Sequence, residues 1–279
     1  MFLMINVIIR IIRPVNLLII FSSVIVAGII CTGINSLPSK IIFSALAFSF
    51  VGAAAYVVND IFDVEIDKIN KPDRPVANNL ISKKEAWFLF AVLCLLSVVF
   101  SLRVNFLSFL AVIISDVIIF LYSYVIKKIP LAGNITVSFM TGLAFIFGGI
   151  AVDNVADAVV PAVFAFMINF IREIVKDMED VDGDRKNNIQ TFPVRFGFRA
   201  SVILIIFLTI FLFIFTFVPF IFQYYKIEYF IMVMVTVNVL FVYFIKSLVK
   251  NKNKENLARL SSVLKLNMVL GLIAIYLGK

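Results

Sequence analysis

The sequence predicts an all-α fold, a polytopic membrane protein built as a bundle of about nine transmembrane helices, and three observations carry that prediction. Hydrophobic residues make up 62% of the chain and charged residues only 15%, far from the balance of a soluble domain. Apolar runs of helix-spanning length recur from one end to the other, and 279 residues hold about nine of them with short connections. Lys and Arg are segregated: 21 of 25 lie at the N-terminus and around 60–85, 127–133, 172–199 and 246–265, whereas the alternate connections hold Lys40, Arg103, Lys226 and Lys279. By the positive-inside rule the N-terminus and the rich connections are cytoplasmic, and an odd number of spans puts the C-terminus outside.

Residues 1–279 read as a single transmembrane domain. Spans are expected at 15–34, 41–59, 86–102, 106–126, 134–152, 155–176, 200–221, 228–248 and 262–278, all helical because backbone groups inside lipid must satisfy one another. The first follows Arg10 and Arg13 without a small-residue cleavage site and reads as a retained helix. The second runs into the acidic stretch Asn59 to Asp67, and the sixth into a second one from Arg172 to Arg185. The fourth carries Asp116 at mid-span, where a charge is costly and faces a polar interior or a partner. Cys31 and Cys94, in separate runs with no zinc or disulfide spacing, read as packing residues. The basic loop containing Lys250, Lys252 and Lys254 reads as solvated and lipid-facing. A span, an Asp-rich stretch and an Asp-Arg loop occur at 41–75 and again at 155–185, a weak internal repeat.

Composition also excludes chemistries. The chain has no histidine, which removes Ser-His-Asp and Cys-His schemes, histidine metal ligation and histidine proton shuttles. Its net charge of +8 is scattered between spans, so it argues for a membrane surface and anionic substrates rather than nucleic acid. The two acidic stretches hold 12 of the 17 acids. Topology depends on Lys and Arg and barely on acids, so function is the better account of that clustering.

If the second helix continues through its acidic stretch, Asn59, Asp63 and Asp67 lie about 40° apart on one face, with Asp60 on that face and Glu65 pointing away. In the second stretch Glu173, Asp180 and Asp184 fall within roughly 60° of Asp177, while Glu179 and Asp182 point elsewhere. Gly183 makes helix continuity to Asp184 doubtful. Oxygen ligands at helical spacing suit a hard divalent cation such as Mg²⁺. Two carboxylate stripes on one membrane face repel unless cations lie between them, and a diphosphate carrying Mg²⁺ is the natural bridge. Lys68, Lys71, Arg74, Arg172, Lys176 and Arg185 are the nearby candidates for the remaining phosphate charge.

The pattern Asn59-x-x-x-Asp63-x-x-x-Asp67, followed by Asp73-Arg74-Pro75 and later by Asp180-x-x-x-Asp184 before Thr191-x-Pro193, resembles the UbiA superfamily of intramembrane prenyltransferases. The resemblance extends over nearly the whole chain, through Arg13-Pro14-x-Asn16, Tyr122-Ser123 with Lys127, and Gly133-Asn134. It implies a helical bundle with a cytoplasmic cap over a central cavity open to the bilayer, and Mg²⁺ as cofactor. It implies Asn59, Asp63, Asp67, Asp180 and Asp184 as metal ligands, with Asp60 and Asp177 as further candidates, and Asp63, Asp67, Asp180 and Asp184 as the catalytic carboxylates. Arg74, Lys127 and Lys176 would neutralise phosphate, and Asn16, Tyr122 and Asn134 would face the cavity. The substrates would be an isoprenyl diphosphate and a lipid-like acceptor.

The residues around the motifs resemble most closely the branch of the superfamily that moves a geranylgeranyl group onto the free hydroxyl of geranylgeranylglyceryl phosphate in archaeal ether-lipid synthesis. An aromatic acceptor, as in quinone, haem or chlorophyll pathways, is the runner-up. The extra cations a phosphorylated acceptor needs would come from Lys127, Lys128 or the basic loop at 246–259. A CDP-alcohol phosphotransferase is disfavoured because the Asp-Gly-x-x-Ala-Arg opening is missing, Asp182-Gly183-Asp184-Arg185 being a superficial echo. A cation transporter is disfavoured because the acids crowd one face while the middle of the membrane is nearly free of charge.

Overall fold

The computed structural model describes residues 2–186 and 189–279, and every regular element among them is helical. In chain order these are α1 (Phe2–Ile12), α2 (Pro14–Thr32), α3 (Lys40–Phe62), α4 (Val64–Asn70), α5 (Lys83–Leu102), α6 (Phe106–Tyr124), α7 (Ala132–Ala151), α8 (Val155–Glu179), α9 (Val181–Lys186), α10 (Phe192–Phe215), α11 (Val218–Ile221), α12 (Ile227–Met232), α13 (Asn238–Lys250) and α14 (Lys254–Leu277). Nine stretches among the described residues are long and apolar enough to cross a bilayer, as the hydropathy pattern predicts. Several helices run further at their charged ends than the apolar runs do. α5 starts at Lys83, not 86, because Ser82 and Glu85 form a reciprocal capping box: Ser82 Oγ accepts from Glu85 N at 3.2 Å and Glu85 Oε2 accepts from Ser82 N at 2.8 Å. α14 starts at Lys254, not 262, because Asn253 Oδ1 accepts from Asn256 N at 2.9 Å.

The chain clusters into two compact units, Met1–Ile126 with Ala144–Ala158, and Lys127–Leu143 with Val159–Lys279. In the first, α3 is central: 61% of its apolar stretch is buried, against 28%, 22% and 28% for α2, α5 and α6, which pack on it. Buried Ala45, Ala47, Ala53 and Ala54 keep α3 slender enough for that close approach. Where the last turns of α7 meet α2, a methyl group on Gly148 would strike Ala27 and the Val24 carbonyl. Asn105 serves two ends: its Oδ1 accepts from Ser108 N at 2.8 Å to cap α6, and its Nδ2 donates to the Ile150 carbonyl at 3.1 Å.

Asp116 of α6 finds a partner on α5, where Ser97 Oγ donates to its Oδ2 at 3.0 Å, while its Oδ1 is buried without a hydrogen-bond partner among the described residues. Cys94, expected to be a packing residue, is half-buried on the same helix as Ser97. The two cysteines are free thiols.

Of the spans that make up the second unit α8 is the most buried, with 67% of its apolar stretch buried against 33% for each of the last three spans. Val233–Val237, between α12 and α13, winds as a π-helix, and Asn267 Nδ2 of α14 donates to the Val237 carbonyl at 3.3 Å. Tyr229 Oη donates to the Thr216 carbonyl at 2.8 Å beside it. Each acidic stretch therefore continues from the most buried span of its unit.

Candidate functional site

The helix does not run unbroken through the first acidic stretch. α3 ends at Phe62, Asp63 leaves helical geometry at φ −93° and ψ 6°, and α4 resumes at Val64. The four-residue step survives the break, since Asp63 N donates to the Asn59 carbonyl at 3.0 Å and Asp67 N to the Asp63 carbonyl at 2.7 Å. Asn59 Nδ2 also donates to Asp63 Oδ2 at 2.9 Å, so these two side chains meet as their spacing predicts. Glu65 is on the outside, 76% exposed and paired with Lys68 at 3.0 Å.

Asp60 has a different setting. Its carboxylate is 2% exposed, bound by Arg13 at 2.6 Å and by Arg74 at 3.2 Å, and Arg74 in turn reaches Asp67 at 2.5 Å. The Arg13 guanidinium lies 4.7 Å from the centre of the Tyr56 ring, and Asn16 is hydrogen-bonded to the Tyr56 hydroxyl oxygen. Arg10 donates to the Asp73 carbonyl at 3.1 Å. Sequence spacing pointed to Asp60 as a candidate ligand and to Arg74 as a phosphate partner. It missed that both belong to one chain of alternating charges, and it missed Tyr56 altogether, whose only signal was its position one turn before Asp60.

The second acidic stretch repeats the first in outline. α8 ends at Glu179, the break falls at Asp180, and α9 follows. Again the step is kept, with Asp180 N donating to the Lys176 carbonyl at 2.9 Å and Asp184 N to the Asp180 carbonyl at 3.0 Å. The interruption expected at Gly183 is corrected by this: Gly183 lies inside α9, and an aspartate marks the break as at Asp63.

Here Asp177 and Asp184 are held by neutral groups. Asn134, in the first turn of α7, donates from Nδ2 to Asp177 Oδ2 at 2.8 Å, and Thr191 Oγ1 donates to Asp184 Oδ2 at 3.1 Å. Burial pushes the Asp184 carboxyl above the ordinary aspartate range, with Thr191 opposing and the charge on Asp180 adding to the rise. Asp180 is exposed. Glu173 is bridged by Arg172 at 2.8 Å and Lys176 at 3.6 Å, and the Arg172 Nε is buried with no hydrogen-bond acceptor. Of the other expected residues, Tyr122 is half-buried in the last turn of α6 and Lys127 lies in the short 3₁₀ turn Ile126–Lys128.

The donor set is oxygen only, which suits Mg²⁺. No three acidic or cysteine side chains among the described residues already stand together as a metal cage. Mg²⁺ usually keeps several waters and is bound by one or two carboxylates together with substrate phosphates. The unsatisfied Arg172 Nε is a donor suited to such an anion.

Spanning helices whose most buried members end in broken, carboxylate-bearing turns define an intramembrane prenyltransferase, and the chain belongs to the UbiA prenyltransferase family, whose model matches residues 20–269. It is an integral membrane prenyltransferase. Among its relatives is the digeranylgeranylglyceryl phosphate synthase of Methanobrevibacter smithii, 35% identical over 97% of this chain and 96% of that one. That of Methanosphaera stadtmanae is 30% identical over 97% and 98%. A solved structure of digeranylgeranylglyceryl phosphate synthase matches with a TM-score of 0.84 and 32% identity, covering 98% of both chains. The UbiA homologue from Archaeoglobus fulgidus bound to GPP and Mg²⁺ shares the fold, with a TM-score of 0.70 at 19% identity over 96% of this chain and 99% of that one.

Proposed function

We propose that residues 1–279 form one prenyltransferase domain that transfers a geranylgeranyl group from its diphosphate to the free glycerol hydroxyl of geranylgeranylglyceryl phosphate. The observation carrying this reading is likeness along almost the whole length, in sequence and in fold, to proteins named digeranylgeranylglyceryl phosphate synthase. Asn59, Asp63, Asp67, Asp177, Asp180 and Asp184 are the residues we assign to Mg²⁺. When bound, Mg²⁺ supplies the positive charge that makes diphosphate a better leaving group. Arg74, Lys127 and Lys176 add positive charge for the phosphate oxygens, and Asn134 orients Asp177. The allylic carbon–oxygen bond breaks with its electron pair on the diphosphate. The glycerol oxygen then forms the ether bond and releases its proton. Asn16 and Tyr122 we assign to the substrate, and the segregation of Lys and Arg supports a cytoplasmic site and N-terminus.

The test is prenyl transfer by detergent-purified protein with Mg²⁺ and geranylgeranyl diphosphate, offered geranylgeranylglyceryl phosphate and 4-hydroxybenzoate. Transfer to the glycerol phosphate is expected. Transfer to the aromatic ring alone overturns the acceptor assignment while keeping the class.

A further inference from the structure

Arg13 is the residue between α1 and α2, and its backbone is left-handed, at φ 56° and ψ 70°. A non-glycine side chain holds that conformation only where its surroundings impose it, and such positions gather at functional sites. Its guanidinium is seated over Tyr56 and 2.6 Å from the buried Asp60 carboxylate. From Asp60 the charges alternate to Arg74 at 3.2 Å and Asp67 at 2.5 Å, two cations and two anions in series within the first unit. Asp60 lies three residues before Asp63, and its buried carboxylate already carries two guanidinium contacts, both on Oδ1.

We infer that Arg13 is a positioning residue that acts through Asp60 to keep the Arg74 guanidinium on Asp67, and that Asp60 is the pivot of this relay rather than a metal ligand. The physical argument is one of sharing. A buried carboxylate that loses one of two cations draws more strongly on the other. Without Arg13, Arg74 moves toward Asp60, and Asp67 loses the partner that orients it. Arg10, bound to the Asp73 carbonyl next to Arg74, steadies the same loop from its backbone side.

The inference rests on the prenyl diphosphate reading only through the ligand used. Binding of geranylgeranyl diphosphate to full-length protein in detergent with Mg²⁺ is therefore measured by calorimetry, with no acceptor present. Arg13→Gln is expected to weaken binding about tenfold in the wild-type background and less than about twofold in Arg74→Gln, with Arg13→Lys recovering part of the loss. An equal loss in both backgrounds would show that Arg13 acts on its own, by structure or by direct contact, and would overturn the relay. Mn²⁺ affinity without diphosphate, read by electron paramagnetic resonance, tests the pivot. Asp60→Asn and Arg13→Gln are expected to lower it equally, and a much larger loss in Asp60→Asn would restore Asp60 as a ligand. If the wild-type protein fails to bind the diphosphate at all, the proposed function fails, independently of the relay.

Discussion

At the end of α3 guanidinium groups hold Asp60 and Asp67, whereas at the end of α8 an amide holds Asp177 and a hydroxyl holds Asp184. Both places use the same backbone device, a helix broken at an aspartate with the four-residue hydrogen-bond step preserved. The difference lies in charge. Asp60 and Asp67 are balanced by Arg13 and Arg74 before any ligand arrives, so that end is fixed in advance. Asp177 and Asp184 are bonded instead to the neutral side chains of Asn134 and Thr191, with no cation in those contacts. On the proposed function, the first end would supply pre-set geometry and the second would gain more from a bound cation.

That contrast can be broken in four ways. The largest effects are expected from Asp63→Asn and Asp184→Asn, each lowering turnover by about a hundredfold or more with the fold intact by circular dichroism. A mild effect at one of the two would show that only one end works in catalysis. Next comes Asn134→Ala, which removes the donor that orients Asp177 and is expected to weaken Mn²⁺ binding about tenfold, the usual scale for a residue that orients a metal ligand. Unchanged affinity would remove Asp177 from the ligand set.

A smaller effect concerns stability. Because burial holds the Asp184 carboxyl above its ordinary range, ionising it disfavours the folded state. This penalty is fully present above the raised value and disappears below the ordinary range near ~3.9. Asp184→Asn should therefore raise the melting temperature of metal-free protein at neutral pH by about 1–2 °C, the small size reflecting partial exposure, and the gain should vanish by about pH 4. A lower melting temperature at neutral pH would contradict the strained carboxylate. The smallest effect belongs to Glu65→Gln, on the exposed face, where turnover should stay within about twofold of wild type. A loss there comparable to Asp63→Asn would defeat the assignment by helix face.

Much of this was legible in the residue order because it depends on local repetition. Asn59, Asp63 and Asp67, like Asp177, Asp180 and Asp184, could be grouped because a helical turn brings every fourth residue round, and the two breaks did not disturb that step. The aspartate at each break was not legible, and the glycine at 183 was a false signal, because backbone propensity is weak beside the hydrogen bonds that carry the helix onward. The partner of Asp116 was not legible either, because Ser97 reaches it from a different helix.

By itself the sequence determined the membrane-spanning character and the number of apolar stretches long enough to span, nine among the described residues, since hydropathy is a property of neighbouring residues. Only the tertiary structure decided which helices are the most buried of each unit and who holds whom. Arg13 meets Asp60 across 47 positions, Asn134 meets Asp177 across 43, and Ser97 meets Asp116 across 19. The physical reason is that such partners are chosen by packing, which brings together side chains whose separation along the chain carries no record of their contact.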